Sequence, residues 1–201
     1  QVDIFTVGDL FPKPTEERVQ AWVAKLRERA ANEKTTPRFA LRAAARERAY
    51  SETGGLPTLR EEIAIGFSRD TGIIVEASEV RCGNGGKGSL TGAFAYLAGK
   101  TKPVVLFAAP AWPTNYDMFP AGTRIIEVDT KGRGIMSPQE LTEVLKQYPN
   151  PDIILINAPS NPTGANYSPT EREEVMKTIK DKTKTTIIAI DDPYGKLVFD
   201  R

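Results

Sequence analysis

Residues 187–194 of the chain read Ile-Ile-Ala-Ile-Asp-Asp-Pro-Tyr. The apolar first half, rich in β-branched side chains, predicts a fully buried strand, and two carboxylates follow where that strand ends. Because parallel sheets bind their ligands just beyond the carboxyl ends of the strands, Asp191 and Asp192 would meet a bound molecule there. The alternative is a strand end whose acids are simply solvated ahead of a turn at Pro193. The sequence upstream of residue 187 distinguishes between these two interpretations.

Helical and strand patterns alternate through the chain upstream of this stretch. Strands are predicted at Val104–Ala108, Arg124–Val128, Ile153–Ile156 and Ile187–Ile190, and a short one at Glu79–Cys82. Helices are predicted at Thr58–Arg69, Ser89–Leu97 (buried), Trp112–Phe119, Pro138–Tyr148 and Pro169–Lys180. Regular alternation of this kind is typical of an α/β fold, with three layers in which helices flank a mostly parallel sheet.

The first 48 residues have a different composition from the rest. Val19, Trp22, Val23 and Leu26 form the apolar stripe of an amphipathic helix, and residues 38–48 predict a second, exposed helix. We therefore expect residues 1–48 to form an N-terminal helical segment belonging to a small domain or arm. Residues 49–201 would then form part of a large α/β domain.

The bulk composition excludes several classes of function. Lys and Arg number 27 against 26 Asp and Glu, so no global field attracts nucleic acid or a membrane surface. No apolar run approaches the roughly 20 residues that span a bilayer, no signal peptide is recognisable, and the single cysteine, Cys82, suits a reducing compartment. We therefore expect a cytoplasmic protein without nucleic-acid or membrane partners.

The chain has no histidine, which removes Ser–His and Cys–His nucleophiles and the usual metal sites. No metal site is predicted. The chemistry would then depend on Lys, Asp, Tyr and Asn side chains and backbone groups, or on a cofactor.

A glycine-rich segment, Gly83-Asn-Gly-Gly-Lys-Gly88, predicts a turn between a strand and a helix. A dinucleotide site would need an acid at the end of the next strand, but that strand ends in Ala-Ala-Pro110. A P-loop would need Ser or Thr after Lys87, where the chain has Gly88. Two interpretations remain: backbone N–H groups that bind one phosphate at a helix start, or a turn kept for tight packing.

Further polar and aromatic residues follow the predicted strands. Trp112 follows the Val104–Ala108 strand and offers a surface for a flat ligand, and a rigid Pro-rich loop after Ile153–Ile156 presents Asn161. Asp191 and Tyr194 follow the last strand, and Tyr50 lies in a loop ahead of the α/β part. Together with the glycine-rich turn, these residues predict a site for a phosphorylated heteroaromatic ring. An acid paired with a ring nitrogen is typical of pyridoxal phosphate sites.

The same residues carry a resemblance to a known family. The chain resembles the class I/II pyridoxal-phosphate-dependent aminotransferases of the aspartate aminotransferase type, which have fold type I. Six motifs carry it in the right order: Val7-Gly-Asp9, Tyr50 with Gly55-Leu-Pro-Thr-Leu-Arg60, Gly85-Gly-Lys87, Pro110-Ala-Trp112, Asn161-Pro-Thr-Gly164 and Asp191-Asp-Pro-Tyr194.

The resemblance implies a cofactor, pyridoxal 5′-phosphate, and roles for particular residues. Asp191 would bind the protonated pyridine nitrogen, and Tyr194 and Asn161 would bind the ring's 3′ oxygen. Trp112 would stack on the ring, and the backbone of Gly86 and Lys87 would bind the phosphate.

Two further residues would act at the substrate and at a subunit interface. Tyr50 would reach the cofactor phosphate of the partner subunit, which implies a homodimer. Gly8 would lie against the substrate carboxylate, and Trp112 and Asn161 would also bind the substrate.

The implied activity is transamination between an amino acid and a 2-oxo acid. A β-lyase, decarboxylase or synthase on the same scaffold, or a non-catalytic module, stays open, because these motifs bind the cofactor without choosing the reaction. We expect the imine-forming lysine and two arginines of the family to lie beyond Arg201. We also expect the amino-terminal arm of the family to be missing. The 201 residues alone would then be inactive and, with exposed sheet edges, poorly soluble.

Overall fold

The computed structural model describes residues 15–21, 23–24, 52–98 and 102–195. The chain divides into two compact units, Gln1–Asn84 and Gly85–Arg201, and each is described by itself. Within the described ranges, none of the helices has the length and apolar character needed to cross a membrane. The predictions for Gly8, Tyr50 and residues 38–48 lie outside these ranges, and the domain division at residue 48 stays a prediction.

The first unit contains helices joined by irregular segments in the part that the structure describes. Residues 16–21 are helical, and helix α1 spans Pro57–Thr71 and ends at Gly72, whose φ is 73°. The strand predicted at Glu79–Cys82 is wrong: a 3-10 turn spans Ala77–Glu79, and residues 80–82 have no regular structure. The physical reason is that the Cys82 N–H donates to the Gly54 carbonyl, 2.9 Å away, in a loop contact rather than in a strand ladder.

The second unit contains a four-stranded parallel sheet. Its strands are β1 (Val104–Ala109), β2 (Arg124–Asp129), β3 (Ile153–Asn157) and β4 (Ile187–Asp191), in the order β2-β1-β3-β4. The helices are α2 (Gly85–Ala98), α3 (Pro138–Gln147) and α4 (Pro169–Lys182), with a 3-10 helix at Pro113–Met118. The predicted α/β fold with a mostly parallel sheet is confirmed.

Side chains on the two faces of the sheet form two separate apolar cores. Alternate residues of a strand point to opposite faces, so Leu106 packs with α3 and α4 while Phe107 packs with Phe94 of α2. The first core includes Leu141, Leu145, Ile154, Val175 and Ile179, and the second includes Val105, Met118, Ile153 and Leu155. The sheet is therefore the middle of three layers.

Four expectations about local structure are wrong. Strand β4 is not fully buried: Ile190 is 37% exposed, because β4 pairs only with β3 among the described strands and so lies at the sheet edge. Helix α2 begins at Gly85, so Gly85 to Gly88 form its first turn rather than a preceding loop. This helix is also largely exposed, since Phe94 is buried but Tyr96 is 86% exposed. The helix predicted at Trp112–Phe119 is a 3-10 helix.

Candidate functional site

The carboxyl ends of neighbouring strands enclose a small depression. Strands β1, β3 and β4 are adjacent and parallel, so the segments that follow Ala109, Asn157 and Asp191 leave the sheet at the same edge. The residues that line the depression are Phe107, Ala108, Pro110, Ala111, Asn115, Gly134, Leu155, Asn157, Ser160 and Asn161. This is the position at which open α/β sheets bind ligands.

Asp191 is the acid at the end of β4, and it is half-buried. The amide nitrogen Nδ2 of Asn157 donates to the Asp191 carbonyl, 3.0 Å away, and to the carboxylate oxygen Oδ2, 3.3 Å away. Burial, and secondly the neighbouring charge of Asp192, raises the pKa of Asp191 above its ordinary value. A half-buried carboxylate with a raised pKa favours a positively charged or proton-donating partner.

Asn161 and Tyr194 are in direct contact. The Asn161 Nδ2 group donates to the Tyr194 hydroxyl oxygen at 3.3 Å, and the Asn161 backbone N–H donates to Asn157 Oδ1 at 2.8 Å. The loop that carries Asn161 closes on itself, since the Gly164 N–H donates to the Ser160 carbonyl at 2.7 Å. Asn161 thus reaches Tyr194 directly and Asp191 through Asn157.

The loop after β2 is tied to the strand and loop beside it. Thr130 is buried; its hydroxyl donates to the Ala109 carbonyl at 2.6 Å and accepts the Gly134 N–H at 2.7 Å. The Thr163 hydroxyl donates to the Arg133 carbonyl at 2.7 Å. These bonds tie the loop after β2 to the end of β1 and to the loop that carries Asn161, and Gly134 lines the depression.

Trp112 and Asn115 follow β1. Trp112 is half-buried at the start of the 3-10 helix, and its carbonyl accepts the Asn115 N–H at 2.9 Å. The Asn115 side chain is 2% exposed and lines the depression, and its Oδ1 atom has no hydrogen-bond partner. A buried acceptor without a partner is costly, so this atom favours a ligand or water that donates to it.

Gly86 and Lys87 lie in the first turn of α2. The backbone N–H groups of a helix's first turn have no partners within the helix and suit an anion. A Cβ atom at Gly85 or Gly86 would meet no atom within 4 Å, so the space beside this backbone is open. The Lys87 ammonium lies 3.7 Å from the Asp117 carboxylate, an exposed ion pair in which the lysine side chain is engaged.

The structure therefore brings some of the predicted site residues together and adds others. Asn161, Tyr194 and Asp191 form one hydrogen-bonded group. Asn157 and Asn115 had no predicted role. Their positions in the sequence could have indicated a role. Asn157 is the last residue of strand β3, and Asn115 lies in the segment that follows strand β1.

Comparisons with known proteins show the family to which the chain belongs. A family model described as aminotransferase class I and II matches residues 7–201. A probable aspartate/prephenate aminotransferase of Rickettsia bellii is 31% identical over 156 residues, which are 75% of this chain and 38% of the relative. An aspartate aminotransferase of Streptomyces avermitilis is 32% identical over 152 residues, 75% of this chain and 36% of that protein.

A solved structure has the same fold. The chain matches a tetra mutant of Thermus thermophilus aspartate aminotransferase with a TM-score of 0.69 and 25% identity, and the match covers 81% of this chain and 44% of that one. The chain spans less than two-fifths of the length of the two curated relatives above. Because the family model matches nearly all of the sequence, the chain belongs to the aminotransferase class I and II family.

Proposed function

We propose that this protein transfers an amino group between an amino acid and a 2-oxo acid with pyridoxal 5′-phosphate as its cofactor, and that these 201 residues bind the cofactor. Pyridoxal 5′-phosphate is the cofactor that the family implies. The observation that carries the proposal is the hydrogen-bonded group of Asp191, Asn157, Asn161 and Tyr194 at the carboxyl edge of the sheet.

The residues at this edge fit the cofactor's chemistry. A pyridinium nitrogen needs an acid that is partly withdrawn from water, and Asp191 is one. A ring oxygen needs donors, which Asn161 and Tyr194 can supply. The phosphate needs free N–H groups with open space beside them, which the first turn of α2 offers at Gly86.

Each residue would have a limited task. The Asp191 carboxylate would keep a proton on the ring nitrogen, because an adjacent negative charge raises the pKa of a basic group. Asn161 and Tyr194 would orient the ring through its oxygen, and Trp112 would cover one ring face. The N–H groups of Gly86 and Lys87 would bind the phosphate. When bound, the cofactor supplies an electron sink for the substrate's Cα.

The remaining roles rest on the family resemblance. We infer a homodimer in which the partner subunit's Tyr50 reaches the phosphate, with Gly8 beside the substrate carboxylate. Aspartate is the first amino donor to test, since both curated relatives above are named for it. A cytoplasmic location and a role in biosynthesis are part of the same proposal.

Cofactor binding is tested by titrating pyridoxal 5′-phosphate into the chain and its variants. Asp191→Ala should weaken binding about tenfold or more, because a charged hydrogen bond contributes about 1.5–3 kcal/mol. Asp192→Ala is the matched control, since it removes the neighbouring, exposed acid and should bind like the wild type. Equal binding by wild type and Asp191→Ala would show that the role given to Asp191 is wrong.

The covalent anchor and the activity are tested separately. We expect borohydride reduction of the loaded 201-residue chain to leave no adduct at any one lysine, because no lysine here has the sequence context of the family's anchor. An adduct at a single lysine would contradict this. Transamination is measured on the product of the complete gene, by following 2-oxo acid release from aspartate.

A further inference from the structure

We propose that Asn157 is a positioning residue: its side chain holds the Asp191 carboxylate and the Asn161 loop in the arrangement that the cofactor's ring requires. This inference rests on the proposed function. It assigns to Asn157 a role in setting the site, although the family resemblance gives this residue none.

Strand register places the two side chains together. Asn157 and Asp191 are paired residues of the parallel ladder between β3 and β4. Paired residues of neighbouring strands point to the same face of a sheet. Both are the last residues of their strands, so their side chains meet at the edge where the depression lies.

The hydrogen bonds fix which way the Asn157 amide faces. The Asn161 backbone N–H can only donate, so the Asn157 atom 2.8 Å from it must be the oxygen. The nitrogen then faces Asp191, where both neighbouring atoms, the carbonyl and the carboxylate oxygen, are acceptors. A flipped amide would set oxygen against oxygen at Asp191, so this orientation is the one that all three contacts allow.

With its amide nitrogen facing Asp191, Asn157 also stabilises the charged form of the Asp191 carboxylate against the effects that disfavour it. Burial and the Asp192 charge both raise the pKa of Asp191, and Arg172 is near enough to Asp192 to interact with its charge. An N–H donor to a carboxylate favours its charged form. Asn157 therefore supports the ionised Asp191, which is the form needed beside a protonated ring nitrogen.

One side chain thus sets two cofactor contacts. Asn157 Nδ2 fixes the end of β4 at both its backbone and its carboxylate, and Asn157 Oδ1 fixes the start of the loop that presents Asn161 to Tyr194. These two functions can be separated by mutation. Asn157→Asp keeps an oxygen for the Asn161 N–H but loses the donor to Asp191, whereas Asn157→Leu loses both.

Pyridoxal 5′-phosphate affinity is the first readout. Asn157→Asp should bind about tenfold more weakly than the wild type, the expected cost of a lost hydrogen bond to a charged group. Asn166→Asp, which adds the same charge at an exposed position, should bind like the wild type. In an Asp191→Ala background the effect of Asn157→Asp should vanish, because Asn157 then has no carboxylate to hold.

The alternative is that Asn157 only anchors the Asn161 loop. In that case Asn157→Asp would bind like the wild type, Asn157→Leu would not, and the loss in Asn157→Leu would persist in the Asp191→Ala background. That pattern would overturn the proposal. Near-ultraviolet circular dichroism verifies that both variants fold.

A second readout needs no cofactor. In the cofactor-free chain, the side-chain amide signals of Asn157 in a ¹⁵N–¹H NMR spectrum should shift with pH as the Asp191 carboxyl group titrates. The shift should persist in Asp192→Ala and disappear in Asp191→Ala. An amide that does not titrate, or that titrates equally without Asp191, would refute the positioning role. Failure of the wild type to bind the cofactor would instead refute the proposed function, with this NMR result still decisive for Asn157.

Discussion

The change Gly134→Ala is expected to destabilise the wall of the depression. Gly134 is buried and has a φ of 73°, in the left-handed region. A Cβ atom there would lie 2.6 Å from the Ser160 hydroxyl oxygen and 3.0 Å from two side-chain atoms of Thr163. The residue therefore has both a backbone reason and a packing reason to be glycine.

The size of the destabilisation by Gly134→Ala follows from the backbone strain and the overpacking. A non-glycine residue in the left-handed region costs about 1–2 kcal/mol. Ser160 is 4% exposed and sits in a closed loop, so its oxygen has little room to move, and overpacking of this kind costs about 1–3 kcal/mol. Displacing Thr163 would also strain its hydrogen bond to the Arg133 carbonyl. The two terms sum to about 2–5 kcal/mol, and the stiffer unfolded chain offsets about 0.4–1 kcal/mol of this, so we expect a net loss of about 2–4 kcal/mol in the free energy of unfolding.

Gly132 provides a matched control in the same turn. Its φ is 83°, but a Cβ atom there would meet nothing within 4 Å. Gly132→Ala should therefore lower the free energy of unfolding only through the strained backbone conformation. The net loss should be about 1 kcal/mol, because a stiffer unfolded chain offsets part of the strain. Urea unfolding followed by circular dichroism measures both variants, and Ser160→Ala should recover part of the loss in Gly134→Ala. Equal losses in the two glycine variants would refute the packing argument.

Two further predictions concern stability. Ser168→Ala should lower the free energy of unfolding by about 1 kcal/mol in urea, because Ser168 caps α4 by accepting the Glu171 N–H; an unchanged midpoint would contradict this. Burial raises the pKa of Tyr167 from 10.0 to about 12, so the unfolded chain ionises first and stability should fall as pH rises from about 10 to 12. Tyr167→Phe should lose this dependence in alkaline unfolding curves, and a wild type with a flat profile would show the assignment to be wrong.

Local signals predicted the start of two helices. Ser137 and Ser168 are each followed by Pro and, three residues on, by Glu, and α3 and α4 begin at Pro138 and Pro169. The strands of the sheet were predicted to within a residue at each end, because short runs rich in Val and Ile favour extended strands through their own side chains. Such features depend on residues close together in the chain.

Burial was harder to predict than strand position. The apolar residues of β4 predicted full burial, yet Ile190 is partly exposed since the strand lies at the edge of the described sheet. An apolar run shows that a strand can be buried, but only the neighbours in the sheet decide whether it is. The same holds for α2, whose apolar residues were expected to be covered.

In the candidate site, too, some features follow from the local sequence and others only from the tertiary structure. Residue types and order alone determined that the chain is an α/β aminotransferase-family protein with Asp191, Tyr194 and Asn161 as site residues to test, because motifs and strand ends are local properties. Only the tertiary structure decided that Asn157 faces Asp191 and that Asn115 carries an unpartnered buried oxygen. The physical reason is that hydrogen bonds between strand ends depend on register and sheet order, which join residues 34 positions apart.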